Sequence, residues 1–153
     1  MSLIRTRTLP AGTVLYHGTS QTDFDETEDN LSGATWVSDS VEVAEYFARR
    51  NQQPGCKPRV LTLRLAEPIE LCLLESAADA EQLGEEHGID FGGVEAMRDS
   101  VEASSIEGWI IPNNYPTGAD ILISNPSCLD YVATRLLDAP APTPKPAKSR
   151  MRP

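Results

Sequence analysis

A chain of 153 residues is long enough to bury one core without disulfide or metal staples, and an excess of 23 acidic over 13 basic side chains, formal charge −10, opposes nonspecific binding to nucleic-acid phosphates. Apolar residues make up 40%, yet no apolar run approaches the roughly 18 residues that span a bilayer, so no membrane partner is expected. Three dispersed cysteines (Cys56, Cys72 and Cys128) with no C-x-x-C pair point to reduced thiols in a cytoplasmic setting, and with His17 and His87 the only histidines no metal site is expected.

The start, MSLIRTRTLP, has two arginines but no apolar stretch behind them, unlike a secretory signal. Pro10 and Gly12 then punctuate the way into a strand from Thr13 to His17. His17-Gly18-Thr19-Ser20 reads either as a polar turn closing that strand or as a place where a ligand lies against the backbone, since glycine permits both. QTDFDETEDNLSGA is a polar, acidic surface loop with Phe24 as its anchor. A short strand from Thr35 to Ser38 leads into a helix that Asp39 is placed to cap, with Glu42 at the third position. Val43, Tyr46 and Phe47 share one face of this helix, and Arg49 and Arg50 suit its C-terminus.

NQQPGCKP is a turn, and RVLTLRL, Arg59 to Leu65, alternates as a strand. Ser76 with Asp79 starts a helix reaching about Glu86, stopped by Gly88, with His87 at its C-terminal end. FGGVEAMRDSVEASS is a weaker helix, Trp109 to Ile111 a brief strand, PNNYPTG a loop, and Ala119 to Ser124 a buried strand broken by Asn125-Pro126. Cys128 to Leu137 forms one more element, either strand or helix. Short strands and a few helices without regular βαβ alternation give an α+β domain over 1–138. Residues 139–153, APAPTPKPAKSRMRP, read as an extended, disordered tail with four basic residues and no acid; all 23 acids and nine of the bases precede it, so residues 1–138 carry −14.

No Rossmann glycine fingerprint, P-loop, zincin helix or G-x-S-x-G elbow is present. Most acids belong to solvated faces. Asp120, which opens the apolar run ILIS, stands apart: it is either a strand-edge acid with access to water or a functional carboxylate. Trp36 and Tyr46 are by residue type core aromatics or walls of a ligand pocket.

LYHGTS, ATWVSDSVEVAEYFA and GADILISNP, in that order, resemble the ADP-ribosyltransferase superfamily on its diphtheria-toxin and poly(ADP-ribose) polymerase side. His17-Gly18 matches that family's His-Gly pair, Trp36 stands where its first tyrosine is usual, Ser38-Asp39 follow, and Tyr46 is the second aromatic, one residue closer than in the polymerases. Asp120, six residues before Pro126, falls where the family's glutamate sits. The resemblance implies two small, mainly antiparallel sheets around an NAD cleft. NAD is the substrate, with no metal, and ADP-ribose passes to an acceptor (protein, nucleic acid or small molecule) that the sequence does not name.

It further implies that Asp120 and His17 are catalytic, and that His17, Gly18, Thr19, Trp36, Ser38 and Tyr46 hold NAD. Asp120 would stabilise the oxocarbenium-like sugar, with Glu107 as its substitute. His17 would hold a ribose hydroxyl, the Gly18 backbone the carboxamide, and the aromatics the cationic nicotinamide ring. NAD glycohydrolysis and a catalytically silent binding module are the alternatives.

Overall fold

The computed structural model of the protein describes residues 4–19, 33–50 and 57–137. Among the described residues, eight strands and three helices form a mixed α+β arrangement with two open sheets. The larger sheet has the order β1(Thr6–Leu9), β5(Ile69–Leu73), β6(Gly108–Tyr115), β7(Gly118–Ile123), β3(Thr35–Val37). The smaller sheet has the order β2(Val14–Thr19), β4(Arg59–Leu65), β8(Leu129–Leu136). Every pairing is antiparallel except β5 with β6. No helix among the described residues is long and apolar enough to cross a membrane.

The pleat of each strand sorts its side chains into layers. Leu61, Leu63 and Leu65 of β4 join Leu15, Leu71, Ile110, Ile121 and Ile123 in the core between the two sheets. The outer face of the larger sheet packs Trp109 and Leu122 against Leu83 of α2(Ala77–His87) and Val101 of α3(Val94–Ala103). The outer face of the smaller sheet packs Val60 against Ala44 and Ala48 of α1(Val41–Arg50).

Several expected elements are present with changed limits. Ser76 caps α2 by accepting from the Asp79 N–H at 3.3 Å, and Gly88 ends the helix in the left-handed region at φ 73°. The weaker helix is α3, and Cys128 to Leu137 resolves into the short 3₁₀ turn Pro126–Cys128 followed by β8. Two strands lie outside the sequence pattern reading. β1, TRTL, is exposed and has no apolar alternation; it exists because it pairs with β5 from Thr6↔Cys72 to Leu9↔Ile69. β5 does alternate, with Ile69 and Leu71 buried on one face.

PNNYPTG is no loop, because β6 runs through an irregularity after Ile111 to Tyr115 and turns back at Tyr115↔Gly118. Asp39 does not cap α1: its Oδ1 accepts from the Ala119 N–H at 2.9 Å, and Ser40 Oγ instead meets the Val43 N–H at 3.4 Å. Cys56, Phe24 with its loop, Asn51 to Cys56 of the turn, and residues 138–153 lie outside the described residues. The two described cysteines, Cys72 and Cys128, are buried, which pushes both thiols up.

Candidate functional site

β2 does not end at a turn before Gly18. It continues to Thr19, paired with β4 through His17↔Leu61, Gly18↔Val60 and Thr19↔Arg59. On its other side β2 touches the larger sheet, among the described residues, at one bridge, where Tyr16 and Ser38 exchange backbone hydrogen bonds of 2.8 and 2.9 Å. Peptide groups along a strand face alternate sides, so Gly18, two residues beyond Tyr16, directs its N–H and C=O to that same side. The Tyr16–Ser38 bridge sets Gly18 opposite Trp36 in antiparallel register. The two strands diverge there, and the result is a fork between the sheets.

Side chains occupy the β3 edge of this fork. His17 Nδ1 lies 2.7 Å from the Trp36 carbonyl oxygen. A carbonyl only accepts, so Nδ1 carries the proton. Burial lowers the His17 pKa, and the nearby positive charge of Arg98 adds to the effect. The ring is therefore neutral, with Nε2 as its acceptor nitrogen. Two residues back along β3, the Ala34 N–H donates to Glu102 Oε2 at 2.5 Å and the Ala34 C=O accepts from Arg98 Nε at 3.0 Å. α3 thus holds the start of β3 by both of its peptide groups. Ala34 is buried, at 2% exposure. Glu102→Ala should cost about 1–3 kcal/mol by leaving its N–H without a partner. A urea unfolding series checks this, and a loss below about 0.5 kcal/mol would show the clamp to be incidental.

Asp120 stands next to the bridge, on β7, which pairs with β3 through Val37↔Ile121 and Trp36↔Leu122. It is 8% exposed and so is not a strand-edge acid open to water. Its Oδ2 accepts from Asn114 Nδ2 at 3.1 Å, while Oδ1 is buried with no hydrogen-bond partner. Burial pushes its pKa up to about 6, with the Asn114 bond opposing the shift. Trp36 and Asp120 stand diagonally on one face of the β3–β7 pair, about 7–8 Å apart at Cα. Tyr115, at the tip of the β6–β7 hairpin, is also raised, first by its own enclosure and then by the charge of Asp120.

The expected site residues therefore separate. His17 and Gly18 border the fork, and Asp120 lies on β7, on the far side of β3. The rings of Trp36 and Tyr46 do not face each other. Trp36 meets Trp109 edge-on, with ring centres 6.0 Å apart, inside the outer core. Tyr46 is half exposed and joins Phe47 at 5.7 Å and Tyr115 at 6.1 Å, with the Arg50 guanidinium 5.9 Å from its ring centre. Ser38 is buried and its hydroxyl is used internally, donating to the Ala119 C=O at 2.6 Å and accepting from the Ser40 N–H at 3.1 Å. It is a lock between β3 and β7, not an open ligand group.

Gly18 lacks a Cβ because α1 lies against it: a Cβ there would stand 1.9 Å from the Ala44 carbonyl oxygen. The helix, rather than a ligand, takes up that space, while the peptide edge still faces the fork. Thr19 is buried beside Arg59. Glu107 is no substitute for Asp120. Its carboxylate accepts from the Glu70 N–H at 2.7 Å, and its C=O accepts from the Ser124 N–H at 3.0 Å at the opposite end of β7.

Asn114 and Tyr115 were hidden from sequence reading, because PNNYPTG has loop composition and only its pairing as a hairpin sets them beside Asp120. No protein-family model matches the chain, and no curated protein matches it. Among the described residues no three histidine, cysteine or acidic side chains converge as ligands for a metal.

Proposed function

We propose that this chain is an NAD-dependent ADP-ribosyltransferase of the diphtheria-toxin and poly(ADP-ribose) polymerase type, with the split fold of that family. The observation that carries the reading is the buried Asp120 on β7, which keeps Oδ1 without a hydrogen-bond partner. On the far side of β3, the β2 edge turns the Gly18 N–H and C=O toward β3. An orphaned buried carboxylate oxygen is costly for stability and suits a polar, positively charging guest.

The Gly18 peptide has the donor and acceptor that a carboxamide requires. The neutral His17, fixed by the Trp36 carbonyl, offers Nε2 to accept from a ribose hydroxyl. NAD as substrate brings a cationic nicotinamide leaving group. The C1′–nitrogen bond breaks with its electron pair leaving on nicotinamide, and a nucleophilic oxygen or nitrogen of the acceptor forms the new bond to C1′. Asp120 stabilises the positive charge that develops on the sugar between those events. Asn114 fixes the carboxylate plane through Oδ2, which orients Oδ1.

One observation favours a second reading, a silent binding module: Trp36 packs into the core instead of lining a ring slot. Nicotinamide release from NAD by the purified chain separates the two. Release is expected, and label from the adenosine half on a macromolecule would mark transfer, while free ADP-ribose would mark hydrolysis. No release under conditions where NAD is bound would overturn the enzyme reading.

A further inference from the structure

The smaller sheet ends at a strand whose outer side has no strand partner among the described residues. β8 is the last strand of that sheet and pairs with β4 along one side. Most of it is exposed, including three large apolar side chains: Tyr131 at 37%, Val132 at 42% and Leu136 at 55%. An open edge with apolar side chains is a template for pairing with another strand.

The β4 ladder decides which peptide groups line that edge. At one end the Leu137 N–H donates to the Pro58 C=O at 2.9 Å, and at the other the Ala66 N–H donates to the Cys128 C=O at 2.8 Å. Peptide groups alternate sides from each end, so Leu136 and Thr134 direct theirs outward at one end, and Leu129 and Tyr131 at the other. The two series differ in parity because β8 carries one extra residue, Val132, between the pairs Thr62↔Ala133 and Leu63↔Tyr131. A bulge commonly blunts an edge. This one makes the outward groups symmetric about the midpoint between Val132 and Ala133.

We propose that β8 pairs antiparallel with β8 of a second copy of this chain about that midpoint, joining two smaller sheets across a two-fold axis. In this register every outward-facing residue meets another, Leu129 opposite Leu136 of the second copy and Tyr131 opposite Thr134. Any other antiparallel register matches at most half of them. The side chains agree with the backbone. Asp130 falls opposite Arg135 of the second copy at both ends, and opposite charges across strands attract. Within its own chain Asp130 stands opposite Arg64, and Arg135, 56% exposed, already binds Glu45 through Nη2. Dimerisation therefore extends existing charge pairs, and it sets the exposed Leu136 beside Leu129. The edge is on the opposite side of β4 from the fork, and nothing in this inference depends on the NAD reading.

Sedimentation equilibrium on the full chain provides the test. One eight-residue edge makes a small interface, so wild type should show a monomer–dimer equilibrium with Kd on the order of 10–100 μM. Asp130→Arg and Arg135→Asp are both at exposed positions. Each sets like charges against one another at both ends and should weaken the dimer about tenfold or more. Mixed in equal amounts, the two variants should associate again with near wild-type affinity, because every cross-strand pair is then opposite in sign. Recovery on mixing requires both chains to be folded and in this register, so it separates the interface from a loss of structure. A wild type that stays monomeric to about 500 μM would overturn the proposal and leave the edge to a different strand. So would variants that associate as wild type does, or a mixture as weak as its components.

Discussion

Asp120→Asn is expected to cut turnover about 10²-fold or more and to remove a pH-dependent cost of folding. The carboxylate is buried with one oxygen unpartnered, and its ionisation is opposed by that burial. A carboxyl raised from 3.8 to about 6 in the folded state holds its proton more tightly there than in the unfolded chain. Folding therefore carries a cost that is fully present above pH 6, shrinks as pH falls from 6 toward 4, and is absent below that window. A neutral amide of the same shape does not ionise, and its NH2 takes the unpartnered position at every pH, so relative to wild type the variant should be about 2–3 kcal/mol more favourable at pH 7.5 than at pH 3.5.

Nicotinamide release should fall about 10²-fold or more, because the amide keeps the hydrogen bond to Asn114 and loses the charge that stabilises the developing cation. Wild-type activity should rise with pH through about 6 as Asp120 ionises. Thermal unfolding at the two pH values beside a rate assay checks the pair. A stability difference from wild type that is the same at both pH values would show Asp120 to be solvated, and rates unchanged would remove it from the chemistry.

Gly18→Ala should be among the most damaging single methyl additions at the described residues. The added carbon would lie 1.9 Å from the Ala44 carbonyl oxygen, 2.8 Å from its carbon and 3.0 Å from the Ala48 nitrogen, all backbone atoms of α1. No side-chain rotation relieves such a contact, so the helix must lift from β2 and expose Ala44, Ala48 and Val60. A loss of at least about 3 kcal/mol is expected, at the upper end of overpacking costs. Chemical denaturation measures it, and a change under about 1 kcal/mol would mean that α1 is loosely seated. Because α1 also carries Tyr46 and Phe47 against Tyr115, the variant should lose the ordered aromatic cluster along with its stability.

Elements ruled by local chemistry were legible from the chain alone. The leucine alternation of β4, the Ser76 cap and the Gly88 stop each depend on residues within a few positions of one another. Features that depend on distant partners were not. Thr6 to Leu9 has no pattern of its own and becomes a strand only through β5. Asp39 has the composition of a helix cap, but the Ala119 N–H, eighty residues away, takes its oxygen. At Gly18 the local pattern suggests a turn or a ligand, whereas the missing Cβ makes room for α1, another distant partner. Asp120 was recognised as an acid in an apolar run. Its burial, and the Asn114 bond that orients it, follow from the β6–β7 hairpin, which its polar composition concealed.

The single bridge between Tyr16 and Ser38 sets up a competition between side chains and backbone. Once that pair has formed, the next antiparallel step would join Gly18 to Trp36 and zip the two sheets into one. The Trp36 carbonyl, however, is already accepting from His17, and one step further the Ala34 peptide is occupied by Glu102 and Arg98. Each side chain is in effect a counterfeit strand partner that satisfies β3 without bringing β2 with it. The opening is thus a suppressed β-ladder, and the histidine that would hold a ribose is also the spacer that keeps a place for it.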